Sequence, residues 1–191
     1  MALPHRAEIT AALKGLALLL RGDARALQFY DLSLDGFWRS FGLPLFCLVC
    51  YLILQPMTAA QTELWGDNRV GFILVQGVEY LLAWGVYLAV MAAVSRGFGL
   101  SHRYAVFVVL YNWAQAIVTA ASLPVLAGSL IGLLPPGTLT GWSTGILLLW
   151  LYIVLQAARI GLGAGLSLAL GAAFLDLAAS ILLHGLLDLV S

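Results

Sequence analysis

Residues 104–123 read Tyr-Ala-Val-Phe-Val-Val-Leu-Tyr-Asn-Trp-Ala-Gln-Ala-Ile-Val-Thr-Ala-Ala-Ser-Leu, without a single Asp, Glu, Lys or Arg. A helix of this length rises ~30 Å, which matches the hydrocarbon core of a bilayer. The stretch is therefore predicted to cross a membrane, and its neighbours on both sides repeat the pattern. Upstream, a first span is expected over about 37–55, closed by Pro56, and a second over about 70–94. Downstream, a fourth is expected over about 142–158 and a fifth over about 164–187. The third span poses a length problem, because apolar character continues from 104 to 134. That run is too long for one straight crossing and too short for two. The reading is one helix to about Leu123, then a partly buried or re-entrant segment ending at Pro135-Pro136-Gly137.

Composition agrees. The chain has 191 residues, 62% of them hydrophobic and 9% charged, with a mean hydropathy of +1.00. A soluble domain carries roughly 25% charged residues, so lipid is the expected solvent. A formal net charge of zero excludes a strongly basic face for nucleic acid. Ahead of the spans, residues 5–29 read as an amphipathic helix with Ile9, Leu13, Leu16 and Leu20 on one side and Arg6, Glu8, Lys14 and Arg21 between them. Such a helix suits the headgroup boundary, or else packs on its own membrane domain. Gly22-Asp23 is expected to end it, and 31–36 to form a polar linker. The apolar run 15–20 is cut by Arg21 and is too short for a signal-peptide core, so this segment is expected to be retained. The expected fold is an all-α polytopic membrane helix bundle, with a cytoplasmic N-terminal segment (1–30) and a five-helix transmembrane domain (31–191).

Orientation follows from charge. With five spans, one side receives Arg6, Lys14, Arg21, Arg25, Arg39, Arg96, Arg103 and Arg159, and the other only Arg69. Arg39, just inside the first span, is expected to snorkel to the interface. Lys and Arg stay cytoplasmic during insertion, so the N-terminus is expected inside and the C-terminus outside.

The polar residues within the spans are the candidate site. Glu79, Asn112, Gln115 and Asp176 count to similar depths from their span ends, with Gln156 on the fourth span. Ionisable groups at that depth are costly unless paired or hydrated. They therefore read either as a structural hydrogen-bond cluster or as a proton or cation path through Glu79 and Asp176. Cys47 and Cys50 form a CxxC inside the first span, but the second cysteine pair that a membrane disulfide-forming enzyme requires is missing, and buried free cysteine is common. His5, His102 and His184 are widely separated, and no metal-ligand spacing, nucleophile elbow or phosphate loop occurs. Small residues at four-residue spacing (Gly85, Ala89, Ala93; Gly165, Ala169, Ala173) favour close helix packing. Neither catalysis nor a cofactor is expected.

The approach to the first span, Asp31-Leu-Ser-Leu-Asp-Gly-Phe-Trp-Arg-Ser-Phe41, and the third-span opening, His102-Arg-Tyr-Ala-Val-Phe with Tyr111-Asn-Trp113 after it, resemble the Yip-domain family of Ypt/Rab-interacting membrane proteins and its bacterial relatives. The resemblance implies five spans, a cytoplasmic N-terminal segment and organisation of membranes through partner binding, without catalysis. The acidic N-terminal region of the family's GTPase-binding members is not evident here. The functional expectation is a scaffold, assembly or accessory component of a bacterial cytoplasmic (inner) membrane, in contact with lipid and with a membrane-protein partner or a second copy. A small channel or proton/cation-coupled transporter, or a subunit of a larger membrane complex, are the alternatives.

Overall fold

The computed structural model describes residues 5–54, 69–135 and 137–188, and every regular element among them is helical. Helix α1 spans Arg6–Leu20, and the backbone N–H of His5 closes its first turn by donating to Glu8 Oε2 at 3.0 Å. It stops at Gly22, whose φ of 69° lets Gly22 N–H reach Leu19 O and Asp23 N–H reach Leu18 O. Those bonds satisfy carbonyls that the helix end would otherwise strand, and a side chain at that φ would be strained. A short 3-10 turn, Ala24–Phe29, then folds back on α1. Tyr30 completes the hairpin by donating from its hydroxyl to Ala12 O at 3.3 Å.

The first apolar stretch is two helices, α2 over Leu34–Ser40 and α3 over Gly42–Leu54. Ser33, inside the expected linker, caps α2 through Gly36 N–H at 3.1 Å, so helix begins earlier than the apolar pattern implied. The break at Phe41 follows from Pro44, which has no N–H to give Ser40 C=O and whose ring crowds that carbonyl. Helix α4 spans Arg69–Gly97 and α5 Tyr104–Leu130. The latter corrects the expected end near Leu123: the helix continues through Pro124, and 124–130 is not a re-entrant segment. An internal proline frees one carbonyl and bends the axis, a loss that membrane-type helices tolerate. Helix α6 spans Thr138–Ala157 and closes in one π turn, Ala158–Leu162, between the expected fourth and fifth spans. Helix α7 spans Leu166–Asp188.

Among the described residues, four helical stretches are long and apolar enough to cross a membrane: Leu34–Ile53, Ile73–Gly97, Ser101–Ser129 and Thr138–Leu162. In α7 the apolar run is Leu166–Leu182, while the whole helix rises ~34 Å. Contacts fix the relative directions. Ser40 meets Asn112 and Cys47 packs with Ala116, so α2–α3 runs parallel to α5. Trp84 meets Asn112 and Leu88 meets Tyr104, so α4 runs against it. Arg103 meets Ile160 and Tyr111 meets Trp150, so α6 is also reversed, and α7 turns back beside it. The helices thus alternate up and down. Arg39, Arg96, Arg103 and Arg159 fall at one end of the bundle.

Helix α1 lies against that same end. Its Ala12, Leu16 and Leu19 join Tyr87, Phe107, Leu110, Ile153 and Leu162 in a single core. Tyr152 donates to Leu20 O at 2.9 Å and accepts from Gln156 Nε2 at 2.7 Å. The N-terminal helix is therefore packed on its own bundle. Outward-facing Leu148, Leu170, Phe174 and Ile181 are exposed, which suits a lipid or protein neighbour rather than water.

Candidate functional site

The polar core is organised by two adjacent residues of α5. Successive side chains on a helix diverge by roughly 100°, so Tyr111 and Asn112 serve different neighbours. Tyr111 turns toward α6 and α7, where its hydroxyl donates to Asp176 Oδ1 at 2.7 Å. Trp150 Nε1–H donates to the other carboxylate oxygen, also at 2.7 Å, so Asp176 is held from two helices at once. The two donors touch edge to face with ring centroids 5.1 Å apart, and Tyr87 lies against Tyr111 at 5.0 Å. Asp176 is 6% exposed, which makes this a buried carboxyl with both oxygens engaged. Tyr87 adds a tie to α7 by donating to Ala172 O at 3.2 Å.

Asn112 turns toward α2 and α4. Its Oδ1 accepts from Trp84 Nε1–H at 3.1 Å and its Nδ2 donates to Ser40 Oγ at 3.0 Å. Ser40 in turn donates to Phe37 O at 2.7 Å. Both ends of a fully buried amide are used.

Of the four candidates, the structure assigns Asp176 and Asn112 to separate hydrogen-bonded groups linked through neighbouring α5 positions. Gln115 lies one turn beyond Asn112, and its buried Oε1 has no partner among the described residues. Glu79 is half-buried on α4 beside Tyr80, whose ring stacks on Tyr51 of α3 at 5.8 Å. The bond from Tyr87 to Ala172 O fixes the register of α4 against α7. From that level Glu79 lies eight residues toward the far end along α4 and Asp176 four along α7, or ~12 and ~6 Å.

Tyr111, Trp150, Trp84 and Ser40 escaped the sequence reading. A signal was available: Trp and Tyr in membrane helices concentrate at the interfaces, so their N–H and O–H groups in mid-span imply buried acceptors.

Around the end that carries α1, Arg39 Nη2 bridges Glu8 Oε1 at 2.9 Å and Asp31 Oδ2 at 2.6 Å. It is paired rather than simply snorkelling. Hydrogen bonds from Ser33, followed by the charge of Arg39, hold the Asp31 carboxyl below its usual range. Bonds from Arg25 do the same for Asp23. Cys47 and Cys50 are free thiols on α3. No group of three His, Cys, Asp or Glu side chains suited to a metal occurs among the described residues.

Fold and site together define a polytopic all-α protein whose polar core joins its helices. Comparison with protein-family models, curated proteins and solved structures finds no match to the chain.

Proposed function

We propose that this chain is a non-catalytic integral membrane protein with five spans, its N-terminus cytoplasmic, acting as a scaffold or accessory component of a bacterial inner membrane. The observation that carries the reading is the state of Asp176, which receives one donor from α5 and another from α6 on its two oxygens. A carboxyl on a proton or cation path must exchange partners with water or with the passing ion. One clamped by two rigid aromatic donors instead fixes three helices relative to one another. Asn112 does likewise for α2, α4 and α5. A bundle tied in this way is suited to presenting a constant outer surface, and its exposed leucine-rich faces suit lipid or a membrane partner. The fifth span is α7, and the single-ended placement of the cations supports the orientation through the preference of Lys and Arg for the cytoplasmic side. Partner binding without catalysis is also what the resemblance to Yip-domain proteins implies.

The test is a mild-detergent pull-down of the full chain alongside flux in sealed vesicles holding the purified protein. A membrane partner or second copy should co-purify stoichiometrically, and proton and cation flux should stay at the empty-vesicle level. Flux above background that Asp176→Asn removes would replace the scaffold with a transporter.

A further inference from the structure

Where α1, the 30–31 bend and α2 meet α5, they enclose a cavity of about 280 Å³. Its mouth carries Glu8, Asp31 and Arg39, and its floor is made by Ser40, Leu43 and Trp113. The charged groups are partly exposed, with side-chain accessibilities of 28%, 43% and 40% for Glu8, Asp31 and Arg39. The floor reaches well into the apolar run, since Leu43 is nine residues beyond the start of α2, or ~13 Å if the two short helices are taken as continuous. A charged mouth above an apolar floor, at the end of the bundle that bears most of the cations, matches the cross-section of an amphiphile at the headgroup level.

From this geometry we infer a binding site for the headgroup of an aminophospholipid, with a primary ammonium between Glu8 and Asp31 and the phosphate beside Arg39. The inference rests on the membrane reading and is independent of whether the protein is a scaffold. Charge selects the ligand. The mouth holds two carboxylates and one guanidinium, so an anionic headgroup would meet excess negative charge, whereas a zwitterion complements both signs. A primary ammonium donates three hydrogen bonds, and bonds between ions of opposite sign are among the stronger ones. A trimethylammonium has no donor to offer. Volume agrees as well, because the cavity is close to the lower limit of ~300–1,000 Å³ usual for ligand pockets. It is of headgroup size, and the acyl chains would stay in the bilayer. The carboxylates that now pair with Arg39 would exchange part of that contact for the ammonium.

The experiment uses the full-length protein in detergent, stripped of lipid and then given an equimolar mixture of phosphatidylethanolamine, phosphatidylcholine and phosphatidylglycerol with identical chains. Retained lipid is read by native mass spectrometry. Phosphatidylethanolamine should be retained about tenfold over phosphatidylcholine, the ratio given by ~1.4 kcal/mol of additional hydrogen bonding. Glu8→Gln should lower that ratio severalfold. Ala11→Leu, which narrows the cavity without touching a charge, should bring it to about one while thermal stability is kept. Equal retention of all three lipids, a preference for phosphatidylglycerol, or an unchanged ratio in Ala11→Leu would overturn the assignment. Water-soluble glycerophosphoethanolamine should compete only weakly, and competition at equal concentration would point to a soluble ligand instead of a lipid.

Discussion

Asp176 receives Tyr111 O–H and Trp150 N–H, both at 2.7 Å, in a setting where water is not at hand to replace either donor. Interhelical hydrogen bonds in membrane proteins measure roughly 0.6 kcal/mol on average and about 1.7 at most. The short, buried geometry puts these two toward the upper part of that range. Tyr111→Phe should therefore cost about 1 kcal/mol in unfolding measurements in detergent. Asp176→Ala should cost more, because it leaves two buried donors unpaired. The double variant should cost less than the sum of the two, and strict additivity would mean that the hydroxyl and the carboxylate do not interact. Asp176→Asn is expected to be intermediate, since its amide offers one acceptor and sets a donor against either Tyr111 or Trp150. At this scale the sequence made half of the site legible. A carboxylate and two amides inside apolar runs are conspicuous, whereas their aromatic donors look like ordinary hydrophobes until a partner is seen. Glu79 shows the other limit, because a polar group inside an apolar run was readable but the register of α4 against α7, which sets its depth, was not.

Among the elements, close approach makes the sharpest predictions. A Cβ at Gly161 would sit 3.0 Å from Phe107 Cα and 3.3 Å from Phe107 N, backbone atoms that have no rotamer to change. Gly161→Ala should force the π turn away from α5 and cost ~1–3 kcal/mol as an overpacking defect. Gly145, also on a helix, has nothing within 4 Å of such a Cβ. There the alanine variant should be neutral or stabilising by up to ~1 kcal/mol, and parallel thermal melts check the contrast. The N-terminal hairpin makes a second prediction. Leu19 and Ala12 are buried in the common core, so a chain starting at Asp31 should still insert, because the spans decide insertion, yet melt well below the full chain. An unchanged melting temperature would instead make α1 a dispensable surface helix. Acid should act on the same region. Hydrogen bonds from Ser33, followed by the charge of Arg39, hold the Asp31 carboxyl below its ordinary range, so its contribution is complete above that range and fades as pH falls through the lowered value. Ser33 N–H donates to Asp31 Oδ1 at 3.0 Å, so amide exchange at Ser33 should keep its protection across neutral pH and lose it once acid protonates that carboxyl. Element boundaries were only partly legible. Length and apolarity located the helices, and Gly22 gave a correct stop. Ser33 was overlooked as a cap, and Pro44 and Pro124 acted in opposite ways, since one sits in a first turn and starts a helix while the other sits within a helix that continues.

For the whole molecule, alternating helix directions and the distribution of charge support one another. The bend at Phe41 and the proline in α5 leave the up-and-down order intact, so an odd number of crossings would separate the two termini. Eight of the nine cations then share a side with the N-terminal segment, which is the arrangement that insertion favours. The most direct test of this architecture places single cysteines at Thr62, Ser101 and Ser191 in a chain with Cys47 and Cys50 changed to alanine. Intact cells are then treated with a membrane-impermeant thiol reagent. Five spans with the N-terminus inside predict labelling at positions 62 and 191 and protection at 101 until the membrane is permeabilised. Labelling at 101 with protection at 62 would reverse the orientation, and protection at 191 with labelling at 62 would remove α7 as a span.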